Sequence, residues 1–190
     1  MTKKRDLRVQ KTYMSLTDAM LRLLREKKFE EITINELCDE AMIRRATFYK
    51  HFGDKYEFIQ FMIEEMRIQF LSEFEHRAKD AKEEDYFEIL VSYVIDFLLS
   101  YEDIIHSLES SSLLSLLLNI RMNDSSGAVE QEIADLLTKY FKTGADPIFA
   151  TQYLLGGIIP SILWWLPKRD EIPREEVTKQ LVYLMKQTVR

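Results

Sequence analysis

The 190-residue chain is 46% hydrophobic and 31% charged, the ordinary composition of a soluble globular protein with a sizeable core. Five glycines and four prolines argue against a disordered or β-rich chain, and a single cysteine excludes an intramolecular disulfide. The net charge of −6 argues against a nucleic-acid partner, but it is unevenly distributed: residues 1–55 carry +4 and residues 56–190 carry −10. This distribution favours a basic DNA-binding segment followed by an acidic body.

The first part of the chain predicts three helices. Apolar residues at spacings of three and four predict a first helix over residues 7–28. Thr33 followed by Glu36 is a capping-box pattern, which predicts that a short second helix begins directly after Thr33. In the third helix, Phe48 and Phe52 lie one turn apart on a side that we expect to be buried. Residues 32–51 therefore show the pattern of a helix-turn-helix motif.

The polar residues around the two phenylalanines must point outwards, and they are cations and hydroxyls, the groups that bind duplex DNA. We expect Arg45 and Lys50 to reach base edges and Ala46 to place its methyl group against a thymine. Phosphate contacts are expected from Thr33, Arg44, Thr47, Tyr49 and His51. The alternatives are that the arginines and Lys50 are solvated charges and that His51 is a satisfied residue at a helix end.

The segment Thr47-Phe48-Tyr49-Lys50-His51-Phe52-Gly53-Asp54-Lys55 resembles the recognition helix and the start of the fourth helix in the TetR family of transcriptional regulators. The resemblance covers about residues 8–68. It implies that Lys55 contacts a phosphate and that the last two helices, 148–166 and 174–188, form a homodimer on a palindromic operator. Met42 stands where the family usually has glycine, and Arg44 where it has serine or asparagine, so we expect a tighter or shifted turn.

The remaining chain predicts helices only. A fourth helix is predicted over 55–78, followed by helices over 83–101, 104–122 (broken at its serine run), 128–142, 146–166 and 174–188. Asp146-Pro147 is a strong helix start, and Pro160 is expected to kink the helix that follows. The predicted fold is all-α, with an N-terminal three-helix helix-turn-helix DNA-binding domain (1–56) and a C-terminal helical effector-binding and dimerisation domain (57–190).

The resemblance also implies an effector pocket in the C-terminal domain, for a small apolar or aromatic ligand. Aromatic residues, methionine and histidine in the later helices could line it: Met66, Phe70, Tyr93, Phe97, His106, Tyr153 and Trp164. The alternative for each is an ordinary core position. The adjacent pair Trp164-Trp165 is expected to serve two different purposes, because neighbouring helix residues point about 100° apart. A regulator controlled by a protein partner, possibly an activator, is the alternative to a repressor released by a small molecule.

The sequence contains no pattern typical of catalysis, metal binding or a cofactor, so we expect no enzyme. Its histidines stand apart from one another, and Cys38 lies on an apolar helix face, where a core position is expected. Residues 148–166 are apolar enough to suggest a membrane span, but a core or interface helix explains them better. The N-terminus is basic with no apolar segment behind it, so we expect a cytoplasmic protein that is nucleoid-associated when bound to DNA.

Overall fold

A computed structural model describes residues 7–102, 128–141 and 144–188. These residues form eight α-helices joined by turns, and no strand occurs among them. The helices are α1 (Leu7–Glu26), α2 (Ile34–Glu40), α3 (Arg45–Tyr49), α4 (Lys55–Ala78), α5 (Tyr86–Ser100), α6 (Ala128–Tyr140), α7 (Pro147–Trp165) and α8 (Arg174–Thr188). The all-α prediction is confirmed for the described chain, and the predicted helix over 104–122 lies outside it.

Side-chain caps start the helices where the sequence predicts. The Glu36 amide donates to the Thr33 hydroxyl and the Thr33 amide donates to the Glu36 carboxylate, which completes the capping box of α2. Asp54 Oδ1 accepts from two amides in the first turn of α4, each at 2.8 Å. Asp146 accepts from the Phe149 amide, with Pro147 at the first position of α7. Helix starts could be predicted because a cap depends on residues close in sequence.

The backbone contacts divide the chain into two units, and the division falls inside α4, between Met66 and Arg67. The first unit contains α1 to α3 and the first half of α4. The second contains the end of α4 and α5 to α8. The predicted domain boundary between residues 56 and 57 stays a prediction.

An aromatic cluster forms much of the core of the first unit. Phe48 and Phe52 pack against Phe58 of α4, with ring centroids 6.1 and 5.0 Å away. Tyr13 of α1 lies 5.4 Å from Phe52 and 4.6 Å from Phe61. A fully buried phenylalanine contributes about 1.5–3 kcal/mol by removing its ring from water. The cluster therefore holds α3 against α1 and α4 through the side of α3 that the sequence predicts to be buried.

In the second unit, α5 packs against α7 and α8 through residues such as Val91 and Ile95. An ionic link joins three helices: Asp96 of α5 accepts from Arg174 of α8 at 2.8 Å and lies 3.8 Å from Arg77 of α4. Arg174 also donates to the Ser92 carbonyl at 3.2 Å. The charged groups are partly exposed, so each pair contributes at most about 1 kcal/mol, and the link orients the helices more than it stabilises them.

Residues Pro147–Lys168, which comprise α7 and the turn after it, are long and apolar enough to cross a membrane. One such segment among the described residues is weak evidence for a membrane protein, because a core helix of a soluble protein passes the same test. Helix α7 packs on α5, α6 and α8 with one side, through Leu154, Ile158 and Ile162. It continues past Pro160 to Trp165, and the expected kink stays a prediction.

In the turn between α2 and α3, a methionine rather than a glycine has the left-handed backbone conformation. Met42 has φ of 54°, and its side chain is 92% exposed. The Met42 amide donates to the Asp39 carbonyl at 3.1 Å and the Ile43 amide to the Cys38 carbonyl at 2.9 Å, the two bonds of a Schellman motif. Met42 itself adopts the left-handed conformation, because the hydrogen bonds that end α2 require it, and a turn tighter or shifted relative to the family stays a prediction.

Replacing Met42 by glycine is expected to raise the free energy of unfolding by on the order of 1 kcal/mol, because glycine adopts positive φ without a steric cost. The measurement is the urea midpoint followed by circular dichroism. The control is Asp39→Gly, an exposed position inside α2, where glycine should cost about 1 kcal/mol. A lower midpoint for Met42→Gly would show that the turn carries no strain.

Candidate nucleic-acid interface

The outer side of α3 presents the predicted DNA-binding residues together. Phe48 is completely buried, whereas Arg44, Arg45, Ala46, Tyr49 and Lys50 are exposed and Thr47 is half-buried. Arg44 is the N-cap residue of α3, but its side chain makes no capping hydrogen bond. The helix has five residues, too few to be stable alone, so the buried phenylalanines are what hold this surface in place.

The cations on α3 are available to a ligand. Arg44, Arg45 and Lys50 make no side-chain hydrogen bond or ion pair with any other described residue. By contrast, Arg22 of α1 pairs with Glu40 of α2 at 2.5 Å, and Lys27 pairs with Glu36 at 2.5 Å. Glu36 and Glu40 of α2 are thus paired with cations of α1 and the turn after it, and the positive charge around α3 is left for a partner such as a phosphate backbone.

Glu36 is the most strongly perturbed carboxylate in the described chain. A hydrogen bond from Lys27, followed by bonds from the Thr33 amide and the Thr33 hydroxyl, lowers its pKa to about 2. The same hydrogen bond raises the pKa of Lys27. Glu36 therefore caps α2 and joins it to the end of α1, as a fixed negative charge at the N-terminus of a helix, where the dipole favours it.

Two residues predicted to contact phosphates use their donors inside the protein, and their phosphate contacts stay predictions. The Thr33 hydroxyl donates to Glu36 at 2.8 Å and its amide donates to the same carboxylate at 2.9 Å, so Thr33 has no donor left for a phosphate. The Lys55 ammonium donates to the carbonyls of Phe29, Glu30 and Ile32, which fills its three N–H donors. Both residues hold parts of the motif together by hydrogen bonds within the protein.

His51 lies half-buried just after α3. Its Nδ1 is 3.4 Å from the Tyr13 hydroxyl, and the two rings meet edge-to-face with centroids 5.3 Å apart. This contact favours the alternative of a satisfied residue at a helix end, although a phosphate contact from His51 stays a prediction. Cys38 is fully buried, and burial raises the pKa of its thiol, as expected of a core residue.

Sequence reasoning missed the contacts that join α1 and α4 to the motif. Tyr13, Arg22 and Lys27 belong to α1 or the turn after it, and each touches a residue far along the chain. No local pattern marks such pairs. The one available signal for Lys27 was an exposed basic residue near the end of a helix, which fits many roles.

The structure brings together only part of the predicted effector pocket. Phe70 stacks on Tyr93 at 4.5 Å and lies 5.1 Å from Phe97, and the Arg77 guanidinium lies 4.6 Å from the centre of the Tyr93 ring. Burial raises the pKa of Tyr93. Met66 belongs to the first unit and His106 lies outside the described residues. We call Phe70, Tyr93 and Phe97 the aromatic triad.

Tyr153 and Trp164, two other predicted members of that pocket, are more than half exposed on α7, and their place in a pocket stays a prediction. Tyr153 instead lines a surface groove of about 420 Å³ between α7 and α8, with Gly156, Gly157 and Leu184. Trp165 is buried and donates to the Ile172 carbonyl at 2.7 Å, so the two tryptophans do serve different purposes, as predicted. Other large apolar side chains exposed on these two helices are Ile148, Phe149 and Tyr183.

Comparison with known proteins agrees with this geometry. The sequence model described as "Bacterial regulatory proteins, tetR family" matches residues 16–60, which run from the middle of α1 through α2 and α3 into the start of α4. An HTH-type transcriptional regulator of Staphylococcus aureus, SAB2452, is 26% identical over 145 residues, which is 74% of each chain. Residues 16–60 thus resemble the DNA-binding part of the tetR family of bacterial regulatory proteins, and the chain is similar to HTH-type transcriptional regulators.

Solved structures show the same fold over nearly the whole chain. The fatty acid degradation regulator FadR from Bacillus halodurans superposes with a TM-score of 0.70, at 20% identity and 96% coverage of both chains. FadR from Bacillus subtilis, solved in complex with stearoyl-CoA, superposes with a TM-score of 0.68 at 20% identity, covering 91% of this chain and 97% of that one. The curated relatives that match this chain are named as HTH-type transcriptional regulators.

The pKa of Glu36 yields a prediction with a defined sign. Because its folded pKa is depressed to about 2 from 4.5, its contribution to stability is complete above about pH 4.5 and is lost as the pH falls towards 2. The ¹³C NMR shift of its carboxyl carbon should titrate near 2. Lys27→Met should move that midpoint upwards, since the Lys27 hydrogen bond is the largest cause. A midpoint near 4.5 in the wild-type protein would contradict the ion pair.

Proposed function

We propose that this chain is a homodimeric repressor that binds a palindromic operator and is released from it by a small apolar effector. The observation that carries the proposal is the outer side of α3 and its two cap residues, where three exposed cations that pair with no other residue of the described chain lie beside hydroxyl groups. Two such surfaces related by two-fold symmetry would read half-sites about one helical turn, or 34–36 Å, apart.

The residues of α3 divide into two roles. Arg45 and Lys50 reach base edges in the major groove, where a cation can pair with the acceptors of guanine, and Ala46 contacts a thymine methyl. Arg44, Thr47, Tyr49 and His51 contact phosphates, which fix the register of α3 on the duplex. Thr33 and Lys55 take no part in these contacts, because their side-chain donors already form hydrogen bonds inside the protein.

A second copy of the chain is the proposed occupant of the groove between α7 and α8. Side chains as large as Phe149 and Tyr153 are exposed beside it, and monomeric proteins rarely expose a contiguous apolar surface of this kind. At Gly156 and Gly157 no atom lies within 4 Å of where a Cβ would be, so a partner helix can approach closely. The predicted interface over 148–166 and 174–188 is retained as part of this proposal.

The proposed effector binds beside the aromatic triad. A ligand with an apolar part could stack on these rings, and Arg77 supplies a nearby cation. Since FadR from Bacillus subtilis was solved with stearoyl-CoA, acyl thioesters of coenzyme A are the first compounds to test. Phe70 lies on α4, the helix that begins next to the DNA-binding motif, so a ligand that displaces α4 would change the spacing of two bound motifs.

Transcription in vitro from a promoter that carries the operator tests repression and release. The operator is first selected by the wild-type protein from a pool of random duplexes. A repressor lowers transcript yield and an effector restores it, whereas an activator raises the yield. Failure to select any duplex would contradict sequence-specific binding.

Lys50→Ala is expected to weaken binding to the selected duplex by about 1–3 kcal/mol and to reduce discrimination against single-base variants of it. The physical reason is the loss of a base contact, which is worth energy only with the matching base. Fluorescence anisotropy at several salt concentrations measures both effects. Arg44→Ala is the matched comparison: loss of a phosphate contact should weaken all duplexes equally. An equal loss over all duplexes for Lys50→Ala would assign Lys50 to the backbone instead.

Leu184→Glu is expected to shift the dimer–monomer equilibrium at least about tenfold towards the monomer, because it places a carboxylate in a buried apolar interface. Sedimentation equilibrium measures this shift. The control is Lys179→Glu, also exposed on α8 but roughly 140° around the helix from Leu184. A wild-type chain that sediments as a monomer, or equal behaviour of the two variants, would contradict the interface.

A further inference from the structure

Lys55 makes the densest set of polar contacts of any described lysine. Its Nζ donates to the Phe29 carbonyl at 2.8 Å, the Glu30 carbonyl at 2.9 Å and the Ile32 carbonyl at 2.8 Å. An ammonium group has three N–H donors and no acceptor, so these bonds use its whole capacity. The side chain reaches back from the first turn of α4 to a segment more than twenty residues earlier.

The three carbonyls lie at the entry to the helix-turn-helix. Phe29–Glu31 forms a single 3₁₀ turn, whose carbonyls are the negative end of a short dipole, and Ile32 directly precedes the N-cap Thr33. Aromatic rings line the same site: Nζ lies 4.8 Å from the centre of the buried Phe29 ring and 5.7 Å from that of Tyr56. The ammonium is partly withdrawn from water, and this burial lowers the pKa of Lys55.

We propose that Lys55 is a positioning residue for DNA binding, which fastens the entry of α2 to the first turn of α4 and so fixes the orientation of the recognition helix α3. The start of α4 is itself held by the Asp54 cap, and the start of α2 by the Glu36 capping box. Lys55 connects these two fixed points. A movement of the first turn of α4 is therefore transmitted to α2 through one ammonium group.

This role, which rests on the DNA-binding function, differs measurably from a phosphate contact. A lysine on a phosphate releases counterions, so its removal makes the salt dependence of binding less steep by about 0.9 in the slope of log K against log salt concentration. A positioning residue changes the affinity but not that slope. It also changes the free protein, because the entry of α2 loses its anchor without any DNA present.

The experiment compares Lys55→Met with wild type on the duplex selected from the random pool. The expected result is an affinity loss of about tenfold, since three carbonyls lose their partner, with an unchanged salt slope. Lys79→Met, at an exposed lysine after α4, is the control for the loss of one positive charge. A slope that falls by about 0.9 with Lys55→Met would overturn the proposal and restore the phosphate contact.

Hydrogen exchange in the absence of DNA gives a second readout. The amides of Glu36 and Leu37, which are bonded to Thr33, should exchange faster in Lys55→Met, while those in the middle of α4 keep their wild-type rates. Unchanged exchange at α2 would overturn the proposal even if no operator were found. If Lys55→Met loses its helical signal, Lys55→Gln, which keeps two donors for the carbonyls, is measured in its place against the same two criteria.

Discussion

The DNA-binding surface depends on the burial of two phenylalanines. Helix α3 has five residues and no side-chain cap, so neither its length nor its N-terminus would keep it helical in water. Phe48 and Phe52 enter the aromatic cluster of α1 and α4, and this burial supplies what the helix lacks. Because these two side chains point inwards one turn apart, the arginines, Tyr49 and Lys50 must point outwards. The chemistry of the surface is thus a consequence of the core beneath it.

The elements that sequence reasoning predicted well are those set by neighbouring residues. Thr33 with Glu36 and Asp146 before Pro147 each mark a helix start, and each forms its cap. The aromatic triad shows the opposite case: three of the proposed pocket residues meet, while Tyr153 and Trp164 lie exposed on α7. Helical periodicity says which residues share a side of one helix, but not which side of another helix they face.

The turn at Met42 shows that hydrogen bonding can keep a backbone conformation for which the family usually has a glycine. A glycine at this position would be free to take positive φ, and its replacement suggested that the turn itself must change. Instead the two hydrogen bonds that end α2 keep their geometry, and the backbone of Met42 accepts the strain. These two hydrogen bonds outweigh one unfavourable torsion, since a carbonyl left without a partner costs as much as the strain or more.

Lys55 and Arg44 together explain how the motif is assembled and charged. The Lys55 ammonium donates to three backbone carbonyls, so the lysine that family resemblance assigns to DNA has all its N–H donors engaged inside the domain. Arg44 stands at the N-cap of α3, where it provides no cap but adds an exposed cation. Lys55, at the start of α4, is thus engaged inside the domain, whereas Arg44 provides an exposed cation at the start of α3. Helix α3 tolerates the missing cap because Phe48 anchors it, so the aromatic cluster is also what allows the positive charge to be placed there.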